Sequence, residues 1–117
     1  MANLGVRIEY EPLRSIGFAD ISASYAGIGT PFEHPARMVS ITNTTDFDLY
    51  ISYNGIEDHS IIPSQTARVL DYGSNMALNG GASDQAAFTR VYTRAFVGLP
   101  TVGGVFVEVV YLDRGAS

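Results

Sequence analysis

The chain has 117 residues, a net charge of −5 at pH 7 and no cysteine. This length suits one domain with one hydrophobic core, and the lack of cysteine excludes disulfides and thiolate metal sites. The negative charge argues against nucleic-acid binding, because such proteins gain affinity by neutralising phosphates. Residues 1–12 contain no long apolar run, so the sequence predicts neither a signal peptide nor a membrane span.

Charged residues make up 16% of the chain and hydrophobic residues 46%, whereas about 25% is charged in a typical soluble domain. The surface is therefore poor in charge and rich in small polar and aromatic residues. All seven basic residues are arginine, which suits bidentate, partly desolvated contacts better than lysine does. This composition favours protein–protein contacts and predicts a homo-oligomer, a dimer or a trimer, although drift in a high-GC genome would produce the same arginine bias.

The first third of the chain alternates between strand and loop patterns. Residues 5–10 alternate apolar and charged side chains, which predicts a strand or an arm that pairs with a neighbour, and Pro12 ends it. Residues 15–25 form a second strand whose parity changes midway, which indicates a bulge or bend. Residues 26–35 contain two glycines and two prolines and predict a loop.

This pattern predicts an extended N-terminal arm with the first strands over residues 1–35. The sandwich core is then expected over residues 36–117, because that part alone carries the six or so strands that a sandwich needs. The alternative is that residues 5–10 pair within their own sheet as an edge strand.

The rest of the chain is organised around residues 38–63. Two period-2 strands are joined by a polar corner at residues 43–46, and Asn54-Gly55 is the strongest turn signal in the chain. Further strands are predicted at residues 65–72, 87–94 and 105–112, with a polar loop at 73–85 and a turn at 98–104. No window shows a helical period. We therefore predict an all-β fold, an antiparallel β-sandwich of jelly-roll-like connectivity.

Four short motifs carry a family resemblance: NTT at 43–45, ISYNG at 51–55, DYGSN at 71–75 and a valine-rich strand ending in Tyr111. In this order they resemble small all-β proteins of tailed bacteriophages, over about residues 16–111. The resemblance implies a non-enzymatic virion structural protein, either a head decoration or cement protein or a head–tail or tail component. It implies a major capsid protein or another virion protein as partner, and assembly into the virion in the bacterial cytoplasm.

One strand face combines aromatic rings with guanidinium groups at Phe88, Arg90, Tyr92 and Arg94. It is interpreted as a protein interface, with an ordinary solvated face and a carbohydrate-stacking face as alternatives. Tyr25, Tyr50 and Tyr92 would form the platform of a carbohydrate-binding module. The interface candidates are Arg68, Arg90, Tyr92 and Arg94 on the strands, and Val6, Ile8 and Tyr10 on the arm.

The sequence predicts no catalytic, cofactor-binding or metal-binding residue. Asp58, His59 and Ser60 are adjacent, and neighbours in a strand point to opposite faces, so they cannot converge as a triad. Asp46 and Asp48 are separated from residues 57–58 by about 17 Å of strand, so solvated turn carboxylates are favoured over a calcium site. His34 and His59 have no ligand cluster, and no glycine-rich phosphate motif is present.

Overall fold

The computed structural model describes residues 7–71 and 89–113, and their strands form two antiparallel sheets packed as a β-sandwich. The strands are β1 (Arg7–Tyr10), β2 (Arg14–Gly17), β3 (Ala26–Gly27), β4 (Ala36–Asn43), β5 (Leu49–Ser52), β6 (Ser60–Ile62), β7 (Thr66–Asp71), β8 (Tyr92–Ala95) and β9 (Gly104–Asp113). Within these ranges no helix is long and apolar enough to cross a membrane. The predicted all-β sandwich is confirmed, while its jelly-roll connectivity stays a prediction. The predicted loop at 73–85 lies outside the described residues.

The five-stranded sheet is built around β9. It has the order β1-β9-β4-β7, and β2 pairs with β9 on the side of β1. Val107 of β9 lies opposite Ile41 of β4, and Val109 lies opposite Val39. These side chains are buried in the core, as the period-2 patterns of the two segments predict.

The four-stranded sheet has the order β3-β8-β5-β6. Ile51 pairs with Thr93, and both are buried. The next pair along the strands, Tyr50 and Arg94, points to the opposite face and is partly exposed. The outer face of this sheet therefore carries Tyr50 and Arg94 of the residues singled out in the sequence, whereas Phe88 lies outside the described residues.

The polar corner at residues 43–46 connects the two sheets. The Asn43 side-chain amide is fully buried and donates to the carbonyls of Phe47, Ile62 and Pro63, at 3.0, 3.1 and 3.2 Å. Its carbonyl oxygen accepts from the Thr45 N–H at 2.8 Å. A buried amide costs free energy unless it is bonded in this way, so this asparagine fixes the path of the chain.

The prediction that residues 1–35 form an arm outside the core is wrong for residues 14–35. Ile16, Ile21, Ile28 and Phe32 all belong to the buried core. The physical reason is the parity change after β2, where a 3₁₀ turn at Phe18–Asp20 lets the chain leave one sheet and cover the other. The core therefore includes residues on both sides of the predicted boundary.

The first strand also lies within its own sheet. β1 pairs with the end of β9, from Arg7 opposite Asp113 to Tyr10 opposite Val110. This is the arrangement given above as the alternative to an arm. Ile8 and Tyr10 are nevertheless exposed, at 61% and 74%, so the strand contributes little apolar burial.

Candidate functional site

Strand β8 and the two residues before it present one face to the core and the other outward. Val91 and Thr93 are buried, whereas Arg90, Tyr92 and Arg94 are partly exposed. The structure thus brings three predicted interface residues onto one surface, which we call the arginine face.

The Arg90 guanidinium lies close to Gly27 of the neighbouring strand β3. A Cβ atom at Gly27 would lie 2.1 Å from its Cζ, so the absence of a side chain at Gly27 makes room for the guanidinium. The Cζ is 5.6 Å from the centre of the Tyr92 ring. Its Nε is buried and has no hydrogen-bond partner among the described residues.

The Arg94 guanidinium is fixed by contacts with other side chains of the same molecule. Its Nε and Nη2 donate to the two carboxylate oxygens of Asp58, at 3.1 and 2.8 Å. The guanidinium also lies over two rings, 4.3 Å from that of Tyr50 and 5.4 Å from that of Tyr25. Such bidentate and stacked contacts are specific to arginine, so Arg94 organises this end of the arginine face.

The same cluster shifts the acidity of its members. The hydrogen bonds from Arg94 and from the Tyr25 hydroxyl hold the pKa of Asp58 below its usual value. Burial, followed by the hydrogen bond to Asp58, raises the pKa of Tyr25 to about 12. Asp58 is therefore a structural anion that fixes the arginine and the tyrosine.

Arg68 lies on a different element, the edge strand β7. Its guanidinium donates to the Ser60 hydroxyl and, at 3.2 Å, to the Ile61 carbonyl. It thereby links the edge strands of the two sheets. An open cleft of about 420 Å³ separates Arg68 from the Arg94 cluster, and its lining consists of Tyr50, Asp58, His59, Ser60, Ile61 and Arg68.

Asp58, His59 and Ser60 each bond to a different partner. Asp58 binds Arg94, the His59 ring nitrogen accepts from the Tyr53 N–H at 3.0 Å, and the Ser60 hydroxyl accepts from Arg68. Asp58 and His59 precede β6 and do not lie in a strand, so the strand argument does not apply to them, and the absence of a catalytic triad stays a prediction.

The acidic residues near the turns stabilise loops. Asp48 accepts from the Ser64 N–H at 2.8 Å, and Glu57 accepts from the Asn54 side chain at 3.1 Å. Among the described residues, no three acidic or histidine side chains come together in a way that could hold a metal ion.

The predicted interface residues of the N-terminal segment form a second surface. Ile8 and Tyr10 lie on β1, at the edge of the five-stranded sheet, whereas the arginine face belongs to the four-stranded sheet. Val6 lies outside the described residues. The candidates therefore divide between two sheets.

A third surface was not predicted. Residues 96–103, between β8 and β9, form a loop that we call the apolar loop. Its most exposed apolar side chains are Val97 at 80%, Leu99 at 58% and Val102 at 55%, beside the partly exposed Phe96. The turn predicted at residues 98–104 covers most of this loop, but its exposed apolar surface was not predicted, although residues 96–104 contain no charge.

The apolar loop is held firmly in place. Asp46 accepts from the Thr101 N–H at 2.9 Å and from its hydroxyl at 2.6 Å, which keeps the pKa of Asp46 below its usual value. Thr44 and Gly104 exchange three hydrogen bonds of 2.9–3.0 Å at the end of the loop. Pro100 is buried. The exposed side chains thus stand on a fixed frame.

A buried ionic cluster around Glu11 was also not predicted. Glu11 accepts from Arg14 at 2.7 Å and from the backbone N–H groups of Glu33 and His34 at 3.1 and 2.9 Å, and the His34 ring nitrogen lies 2.8 Å from it. Arg14 donates further to the carbonyls of Thr30 and Pro31. The spacing of three between Glu11 and Arg14 was the available signal. The cluster fastens the loop at residues 30–34 to the edge of the sheet.

Comparison with models of known protein families, with curated proteins and with solved structures found no match in any of the three.

Proposed function

We propose that this chain is a non-enzymatic structural protein of a tailed-phage virion, which binds and stabilises neighbouring capsid subunits as a decoration or cement protein. The alternative role within the virion is that of a small head–tail or tail adaptor protein. The virion assignment rests on the sequence resemblance over residues 16–111. The partners are a major capsid protein or another virion protein and a second copy of the chain.

The observation that carries the binding function is the apolar loop. Single exposed apolar side chains are normal on a soluble protein, whereas several within one short loop favour a binding surface. Val97, Leu99 and Val102 are displayed on a frame fixed by Thr101 and Asp46. A preorganised loop loses little conformational freedom on docking, so this loop is suited to fill an apolar pocket of a neighbouring subunit.

The division of the surfaces suits a protein that holds neighbours together. The arginine face, the β1 edge and the apolar loop lie on different elements. On a capsid, modest contacts repeated at symmetry-related positions add up to high avidity. A cement protein needs at least two such surfaces, one for each neighbour.

Particle incorporation tests the proposal. Purified particles of the virus that encodes the chain are analysed by quantitative mass spectrometry, with wild-type protein and the double variant Val97→Asp/Leu99→Asp. Losing two apolar anchors is expected to reduce the copies per particle at least about tenfold. The matched control is Ile56→Asp, because Ile56 is 81% exposed and Val97 80%; this control should be incorporated normally.

Two results would overturn the proposal. One is the absence of wild-type protein from the particles, and the other is full incorporation of the double variant.

A carbohydrate-binding module is the second candidate, favoured by the cleft between Arg68 and the Arg94 cluster. It combines an aromatic ring, Tyr50, with hydrogen-bonding groups of Asp58 and His59, which are typical components of sugar sites. The predicted platform tyrosines, however, already stack on the chain's own arginines. Glycan-array binding that disappears in Tyr50→Ala or Tyr92→Ala would favour this candidate.

A further inference from the structure

The outer edge of β1 is an open strand edge that bears two large, exposed apolar side chains. In the described part of the chain, β1 pairs with β9 alone. Ile8 and Tyr10 are 61% and 74% exposed on its outer face. An edge strand offers a row of unpaired backbone N–H and C=O groups to any extended segment, and burying these two side chains would add to the gain.

We infer that the occupant of this edge is β1 of a second copy, paired antiparallel about a two-fold axis. The inference rests on the self-association proposed above, but not on the virion assignment. The result is one continuous sheet of ten strands across two molecules. A two-fold contact of this kind is closed, so the inference selects a dimer over a trimer.

The strand sequence is complementary to itself in one register. Ile8 and Tyr10 of both copies lie on the same face of the joined sheet only if even-numbered residues pair with even-numbered ones and odd-numbered residues with odd-numbered ones. A two-fold axis at Ile8 then places Ile8 opposite its copy and position 7, an arginine in the sequence, opposite Glu9. Opposite charges directly across a pair of strands stabilise it, and this register contains two such pairs.

The neighbouring register lacks this complementarity. A two-fold axis at Glu9 keeps the faces matched but places the two Glu9 side chains opposite each other, and like charges in that position are destabilising. The charge pattern of the strand therefore favours the axis at Ile8.

A charge-swap series tests the pairing on the full chain. Arg7→Glu and Glu9→Arg each convert two attractive pairs into two repulsive pairs, so each is expected to raise the dimer dissociation constant at least about tenfold. The double variant Arg7→Glu/Glu9→Arg exchanges the two signs and is expected to restore the wild-type constant. Sedimentation velocity over a range of protein concentrations measures all four proteins.

The control is Glu33→Arg, which makes the same change in net charge as Glu9→Arg at an exposed site outside the strands and should leave the dimer intact. If the wild-type chain is still monomeric at about 100 μM, its dimer dissociation constant is far weaker than micromolar, and the inference is overturned. Single variants that dimerise like the wild type, or a folded double variant that stays monomeric, also overturn it.

Hydrogen exchange on the wild-type chain provides a readout independent of variant folding. Amides of residues 8–10 should gain protection as protein concentration rises, whereas those of β6 should not. Protection in β1 that is independent of concentration would overturn the inference. Since incorporation is tested on the apolar loop and dimerisation on β1, failure of one is distinguishable from failure of the other.

Discussion

Two arginine–carboxylate clusters in this protein have bonds of nearly the same length and opposite surroundings. The bond from Arg14 to Glu11 is 2.7 Å and that from Arg94 to Asp58 is 2.8 Å. The first pair has side chains only 5% and 1% exposed, and the second 28% and 39%. Bond length alone therefore does not decide what a pair contributes to stability, because water screens and competes with the exposed one.

The buried cluster should be the more sensitive to substitution. Glu11→Gln leaves Arg14 buried without its counter-ion, although backbone carbonyls still accept from it. Breaking a buried ion pair costs about 3–5 kcal/mol, and we expect a loss of this order in the free energy of unfolding from urea titration at pH 7. Glu108→Gln is the control, since Glu108 is exposed. A loss below about 1 kcal/mol, the value of a surface pair, would contradict the expectation.

The pH dependence sharpens the comparison. Burial opposes ionisation of Glu11, but the bonds from His34, the Glu33 N–H and Arg14 outweigh it, so the pKa of Glu11 in the folded protein lies below its usual 4.5. A lowered pKa in the folded state stabilises the fold above the unfolded value and loses this contribution as the pH falls through the folded value.

We therefore expect urea stability to fall progressively below about pH 4.5, the usual pKa of a glutamate. The curve of Glu11→Gln should be flatter in this range. Asp46 and Asp58 also have lowered pKa values, and they remain in both proteins, so the difference between the curves isolates Glu11. Parallel curves would show that Glu11 does not carry this acid sensitivity.

The smallest effect on stability is expected at the exposed cluster. Asp58→Asn should leave the urea midpoint almost unchanged, because an exposed pair contributes little. It should still lower the pKa of Tyr25 from about 12, since the carboxylate that accepts the hydrogen bond of its hydroxyl is removed while burial remains. Ultraviolet titration of tyrosinate measures this shift, with Tyr25→Phe identifying the signal. A large loss of stability, or an unchanged titration, would contradict this account.

The sequence predicts the strands because period-2 alternation is a local property. In β4, β5 and β9, apolar residues such as Val39, Leu49 and Val107 recur at every second position. These positions are buried, as this alternation predicts. The turn at Asn43 is also predictable from local sequence, since its side chain bonds to Thr45 and Phe47, which follow it closely in the chain. Burial of a polar amide there needed the contacts of Ile62 and Pro63, which only the folded chain supplies.

What the sequence did not predict depends on distant partners. Ile21 follows the parity change within residues 15–25, and Phe32 lies in the predicted loop at residues 26–35, so their place in the core follows from crossing between sheets. Glu11 and His34 are 23 positions apart, and no local pattern relates them. The apolar loop was missed because a turn signal describes the backbone and says nothing of which side chains remain exposed.

The position of β9 has a consequence for how the protein is made. β1, β2 and β4 all pair with β9, yet β9 follows all of them in the chain. During synthesis these three strands emerge before β9 and cannot pair with it. The five-stranded sheet therefore forms only after residues 104–113 have left the ribosome. Folding dominated by such distant pairings is slow and exposes open edges meanwhile. Translation of the last strand therefore sets the earliest moment at which this sandwich can exist.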